Sequence, residues 1–261
     1  MSSSSKGRIV AIMLGRKGSI GFPGKNTYKI MGRSVLEYPL LASKHSKWVD
    51  NVYVTTDDES IKRIARHYDA EIIDRPPELC TPETLFEDAL LHGYHEIKKR
   101  ENTPIKYIIT LMCNAAAITS KLIDEAIEKL ESCKEADSAV TVSSYNMWSP
   151  LRARKVDTNG FMVPFVPFEV FGDPKTLNCD RDSQGDVYFA DMCLSVSRSE
   201  CLENFNEGLL PQRWMGKKIL PVHNWAGCDI DFEWQVPPTE FWLRKNGFSD
   251  TITPYDCIKI T

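Results

Sequence analysis

At 261 residues the chain is long enough for one sizeable α/β domain, or a domain with a small appendage, and its 42% apolar and 26% charged composition excludes a disordered protein. Lys and Arg number 32 against 36 Asp and Glu, a net charge of −4, which removes the bulk attraction that nucleic-acid binders use while leaving room for a local anion site. No run approaches the roughly 18 apolar residues of a membrane span, and the Ser-rich start, residues 1–8, lacks the apolar stretch of a secretory signal and is expected to fray; these features together read as a cytoplasmic protein of small-molecule chemistry.

Residues 9–14 form a continuous apolar run ended by Gly15, the pattern of a buried parallel strand. A Gly/Lys/Arg loop follows over 15–26. Ser34 with Glu37 reads as a capping box for a helix carrying Val35, Leu36, Leu40 and Leu41, with Pro39 early in it. Next come a strand at 52–55, a helix at 61–68 and a short strand at 71–74. Thr84 and Glu87 read as a second capping box, opening a helix to about Lys99. A strand at 107–111, a helix at 121–131 and a strand at 139–143 complete the first half. This alternation predicts an α/β fold with a Rossmann-like, mostly parallel sheet flanked by helices, its ligand crevice beyond the carboxyl ends of the strands.

The rhythm breaks over 145–185, where Pro150, Pro164, Pro167 and Pro174 alternate with Phe161, Met162, Val163, Phe165, Val166, Phe168, Val170 and Phe171. The stretch reads as an insertion of irregular strands and loops, serving either as a self-association surface or folding back on the core. Strands are then expected at 192–197 and 218–221 and a helix at 239–246, all within one domain over 9–261. None of the eight cysteines is at Cys-x-x-Cys spacing, so most read as small buried apolar residues and none as catalytic. His67, His92 and His95 lack the company of a metal motif. His223 and Trp225, shortly before Asp229, stand where they could border a site.

The 15–26 loop has glycines at 15, 18, 21 and 24, which is neither Gly-x-Gly-x-x-Gly nor a Walker P-loop. Its glycines and Arg16, Lys17 and Lys25 suit an anion-binding nest, although composition alone fits a solvated basic loop equally well. The position directly after the first strand favours phosphate.

Gly15-Arg16-Lys17-Gly18-Ser19-Ile20-Gly21-Phe22-Pro23-Gly24-Lys25-Asn26 resembles the nucleotide loop, Ala-Arg-x-x-Ser-Lys-Gly-x-Pro-x-Lys-Asn, of the cytidylyltransferases that activate sialic acid and related sugar acids. Val54-Thr55-Thr56-Asp57, Asp74-Arg75-Pro76-Pro77-Glu78-Leu79 and Cys228-Asp229-Ile230-Asp231 match in order, so the resemblance covers residues 9–235. It implies the nucleotide-diphospho-sugar transferase type of fold, with the 145–185 insertion as a homodimer contact. It also implies transfer of CMP from CTP to a nonulosonate-like acceptor, with Mg²⁺ as cofactor and pyrophosphate as product. Arg16 and Lys25 would hold the triphosphate, Ser19 and Asn26 seat phosphate and ribose, Arg75 read the pyrimidine, and Leu14 and Gly15 line the nucleotide. Asp229 and Asp231 would hold the metal, with Arg16, Lys25 and Asp231 central to catalysis.

The acidic pair also carries its own signal. Two residues apart in an extended segment, both carboxylates face one way, as an oxygen-seeking cation needs. Turn and capping chemistry is the bland alternative, and the upstream loop favours the metal. Pro237-Pro238 is expected to interrupt the helix that follows.

The acceptor side departs from the pattern. Ile20 replaces a lysine, and Met112 stands for a glutamine within a segment that includes Asn114. Arg181 matches one family arginine, Phe189 stands for a second, and Asp191 for an asparagine. Losing the cation at 189 and gaining a carboxylate at 191 would repel an acidic sugar, one such pair being worth several kcal/mol at about 4 Å and an effective dielectric near 20. The expected acceptor is therefore a modified nonulosonate or another small molecule with a neutral or cationic group. A same-fold transferase with a different nucleotide or acceptor, or a non-catalytic nucleotide binder, are the alternatives.

Overall fold

Strand β1 (Arg8–Leu14) is buried on both faces, which is why its sequence is a continuous apolar run. Ile9, Ala11 and Met13 point into one core cluster and Val10, Ile12 and Leu14 into another. A computed structural model describes residues 7–145, 148–183 and 185–256. After β1 come a hairpin, β2 (Lys29–Ile30) and β3 (Arg33–Ser34), then α1 (Glu37–Lys44), β4 (Asn51–Thr56), α2 (Glu59–His67), β5 (Glu71–Asp74) and α3 (Phe86–Arg100). β6 (Ile105–Met112), α4 (Ser120–Ser132) and β7 (Ser138–Ser144) follow, then a second hairpin, β8 (Arg154–Val156) and β9 (Met162–Pro164). β10 (Tyr188–Arg198), α5 (Ser199–Glu203), β11 (Ile219–His223) and α6 (Val236–Lys245) complete the order.

The main sheet has seven strands in the order β11-β7-β10-β6-β1-β4-β5. Only β10 runs against its neighbours, pairing antiparallel to both β6 and β7; the other four pairings are parallel. The expected mostly parallel α/β sheet is therefore what forms. Core residues of α1, α2 and α4 cover one face and those of α3 the other. A third cluster joins α6, the β2–β3 hairpin, Ala115 to Ala117 and Ile230. That cluster places the late acidic segment beside the strand ends.

Helix starts differ from the sequence expectation. α1 begins at Glu37, with Leu36 at its cap and no side-chain cap bond; the Glu37 carboxylate still reaches back to the Ser34 N–H, so half of the expected box forms. α3 begins at Phe86, capped by Leu85, because Thr84 Oγ1 instead donates to the Glu78 carbonyl at 3.1 Å. Pro237 and Pro238 do not interrupt α6. They occupy its first turn, where the missing N–H groups have no partner to lose. The expected fraying start also ends sooner, since Arg8 already opens β1 and donates its backbone N–H to the Pro104 carbonyl; residues 1–6 lie outside those described. In the insertion, Phe161, Met162, Phe165 and Val170 are each more than 60% exposed, so they do not fold back on the core.

Arg198 fastens the reversed strand to the end of α4. Its Nε donates to the Ala136 carbonyl at 2.7 Å, and Nη2 lies 3.2 Å from the carbonyls of both Leu130 and Cys133. Arg198→Met strands these acceptors and is expected to lower stability by about 2–3 kcal/mol in urea unfolding. A loss below about 0.5 kcal/mol would contradict this role.

Candidate functional site

The carboxyl ends of β1, β5 and β6 open into a cleft of about 380 Å³, lined by Leu14, Gly15, Arg16, Ser19, Lys25 and Asn26, with Arg75 just after β5 and Met112 at the end of β6. Asn114 and Asp231 line it as well. Ten of the residues expected from sequence thus meet in one place.

The loop is held from beneath. Gly15 N–H donates to the Thr55 carbonyl at 3.3 Å and Lys17 N–H to Asp57 Oδ1 at 2.9 Å. Asn26, itself buried, donates from Nδ2 to the Arg16 carbonyl at 3.4 Å and accepts the Leu36 N–H at 3.0 Å. Arg75 is buried, with Nη2 donating to the Thr55 carbonyl at 2.8 Å. Burial pulls its pKa down, while Asp57 nearby works the other way. Three cations therefore face one cavity, and the two from the loop are anchored by backbone rather than cancelled by acids on their own element.

The acidic segment closes the other side. Ile230 is fully buried and turns Asp229 and Asp231 away from the core. Asn114 clasps this segment, accepting the Ile230 N–H at 2.9 Å, donating to the Ile230 carbonyl at 3.0 Å and lying 3.3 Å from Asp229 Oδ2. Asp231 is exposed and ion-paired to Lys25 across the cleft. Half-buried Asp229 has its pKa raised, first by burial and next by Asp231, with Lys25 and Asn114 opposing. Gly21 belongs to this junction, because a Cβ there would lie 2.7 Å from the Asp231 carbonyl. Two carboxylates sharing one lysine form an all-oxygen donor set with uncompensated negative charge. That is the donor chemistry a hard cation completed by phosphate oxygens needs; among the described residues no group of three or more His, Cys, Asp or Glu side chains could hold a metal ion by itself.

Several expected contacts fall elsewhere. Arg181 is exposed in the insertion and paired with Asp182. Phe189 packs edge-on against Trp148, with centroids 5.5 Å apart. Asp191 is 6% exposed, and both its oxygens accept hydrogen bonds inside the fold, from Thr141, Cys193 N–H and Asn224. The expected repulsion between Asp191 and an acidic acceptor has no geometric basis. His223 and Trp225 do not line the cleft; they pack against Tyr188 and against Phe241 and Trp242. Sequence reasoning missed the apolar wall of Leu79, Leu85, Phe86 and Ala89. Its one signal was the chain continuing from the Asp74–Leu79 stretch into a helix, whose first turn supplies Phe86 and Ala89.

The model of the family described as cytidylyltransferase matches residues 10–159, which hold the whole basic loop, Arg75 and Asn114. The chain belongs to that family. A curated relative, the N-acylneuraminate cytidylyltransferase of Oncorhynchus mykiss, is 25% identical over 234 residues, 90% of this chain and 50% of the relative, so the chain spans half that protein's length. A solved structure of a CMP:2-keto-3-deoxy-manno-octonic acid synthetase complexed with CTP superposes with a TM-score of 0.63 at 14% identity, covering 91% of this chain and 99% of that one. The 4-diphosphocytidyl-2C-methyl-D-erythritol synthase of Anaerococcus prevotii gives 0.59 at 16% identity, over 91% and 96%. The cytidylyltransferase fold of this chain is thus shared with both. Among the described residues, no helix is long and apolar enough to cross a membrane.

Among the described residues lining the cleft there is no cysteine. Cys113, fully buried at the end of β6, has its pKa pushed up to about 12 by burial, whereas Cys179 is exposed. Maleimide labelling of the folded protein near pH 7 is expected to modify Cys179 at least ~100-fold faster than Cys113 by peptide mapping. Equal rates would contradict the packing beneath the loop.

Proposed function

We propose that this cytidylyltransferase transfers CMP from CTP to a sugar-acid hydroxyl, with Mg²⁺ as cofactor and pyrophosphate as the leaving group. The observation that carries the reading is the convergence of Arg16, Lys25 and Arg75 with Asp231, and Asp229 behind it, around one cleft at the strand ends. The acceptor hydroxyl gives its proton to solvent, and its oxygen forms a bond to the α-phosphorus as the bond from that phosphorus to the bridging oxygen of pyrophosphate breaks. Arg16 binds phosphate oxygens as a fork and Lys25 as a point charge, so together they steady the leaving pyrophosphate. Ser19 and Asn26 seat phosphate and ribose. Arg75 reads the pyrimidine, whose face lies against Leu85, Phe86 and Ala89. Asp229 and Asp231 hold the cation, with Lys25 leaving Asp231 for the triphosphate. Held there, a Mg²⁺ ion would supply charge neutralisation at the phosphate and would lower the acceptor hydroxyl's pKa.

Ile20 and Met112, which stand where the family has a lysine and a glutamine, are both uncharged and both line the cleft. This supports a nonulosonate-like acid recognised more through apolar substituents than through a carboxylate clamp, or a neutral small acceptor. The exposed apolar residues of the insertion support a homodimer, the usual reason for such a patch.

Pyrophosphate release with CTP and Mg²⁺ across a panel of nonulosonic acids, Kdo and small amino-bearing or phosphorylated acceptors tests the reading. Release with one acceptor, reduced at least roughly 100-fold by Asp231→Ala and abolished by EDTA, is the expected outcome. Silence across the panel, with no rise in melting temperature on adding CTP, would refute it.

A further inference from the structure

Asp191 lies outside the cleft, yet its hydrogen bonds run to the segment that carries the acidic pair. It sits in β10 where the pairing with β7 slips between Ala190 and Ser195, and Met192 beside it has φ of 62°, so the strand turns its carboxylate inward. Oδ1 accepts from Thr141 Oγ1 at 2.5 Å and from Cys193 N–H at 3.0 Å; Oδ2 accepts from Asn224 Nδ2 at 2.9 Å. Asn224 also donates to the Ala117 carbonyl at 3.0 Å and accepts from Trp242 Nε1 at 3.1 Å.

This chain of bonds has a fixed polarity. The indole N–H is donor only, so it fixes Asn224 Oδ1 toward α6 and Asn224 Nδ2 toward Asp191. Position 191 must then offer acceptors on both atoms. An asparagine there would set its NH₂ against either Asn224 Nδ2 or the Thr141 and Cys193 donors.

The same network grips the backbone leading to Asp229. Ser143 Oγ donates to the Asn224 carbonyl at 2.6 Å and lies 3.1 Å from that of Gly227. A Cβ on Gly227 would lie 2.1 Å from Asp191 Oδ2 and 2.2 Å from Asn224 Nδ2, so the chain passes directly over this pair two residues before Asp229. Cys193 Sγ then reaches the Cys228 carbonyl at 3.6 Å. The acidic segment is thus held at 224, 227 and 228 from behind, and at 230 by Asn114 in front.

We infer that Asp191, acting through Asn224 and Gly227, is a positioning residue that sets the affinity of Asp229 and Asp231 for a divalent cation in the nucleotide complex. The inference rests on the metal reading of the acidic pair given above. Partners behind ligating groups typically alter metal affinity by 10–100-fold when removed.

The test is Mn²⁺ binding in the presence of CTP, followed by electron paramagnetic resonance, with melting temperature measured alongside. Asp191→Asn is expected to weaken Mn²⁺ binding about 10-fold or more. Ser143→Ala, a milder change to the same grip, is expected to weaken it several-fold and remains informative if Asp191→Asn does not fold. Asp137→Asn is the control for plain destabilisation, because Asp137 accepts the Lys217 and Lys218 N–H groups at 2.7 and 2.9 Å at the far end of the sheet. It is expected to lower the melting temperature and leave Mn²⁺ affinity unchanged. Wild-type affinity in both Asp191→Asn and Ser143→Ala, or equal weakening in Asp137→Asn, would overturn the inference alone. Failure of the wild-type protein to bind Mn²⁺ with CTP would instead overturn the metal reading and this inference with it.

Discussion

Lys25 and Asp231 are 206 positions apart in sequence and joined by an ion pair. Their side chains are 15% and 51% exposed, so the pair contributes at most about 1 kcal/mol to stability. Its importance lies in what it brings together. A basic loop leaving the first strand and an acidic segment from near the chain's end can meet only if the whole sheet between them is in register. In the proposed reaction each partner would exchange the other for a new opposite charge, the lysine for a triphosphate and the aspartate for a cation.

The fold meets that constraint with ordinary means. Parallel strands deliver Leu14, Arg75 and Met112 to one edge, and one reversed strand, β10, carries Asp191 to the same region from the other direction. Buried Ile230 splits the two carboxylates from the core, and Asn114 ties them to the end of β6. The apolar insertion stands apart from this arrangement, with Phe161, Met162, Phe165 and Val170 in solvent in the single chain.

The strands were legible because burial on both faces leaves an unbroken apolar run, as in β1. The loop was legible because its cations and glycines directly follow such a strand. Helix starts were less so: Ser34 and Thr84 carry the right side chains, but Thr84 finds the Glu78 carbonyl, and the caps fall at Leu36 and Leu85, two residues and one residue later. Prolines 237 and 238 read as breakers, although a first turn accommodates them. Asp191 shows the deeper limit. A carboxylate on a strand gives no sign of which way it points, and here a slipped pairing turns it from the cleft into a buried network. The apolar wall of Leu85, Phe86 and Ala89 was hidden for a related reason, since it spans the junction of a loop and a helix and follows neither period.

In the proposed reaction one nucleotide bridges the basic loop and the acidic pair. A crystal structure with CTP and Mn²⁺, using the anomalous signal of the metal, tests it most directly. The triphosphate is expected along Arg16 and Lys25, the pyrimidine beside Arg75, and the metal peak between the phosphate oxygens and the carboxylates of Asp229 and Asp231. A nucleotide bound outside this cleft, or a metal touching neither aspartate, would contradict it.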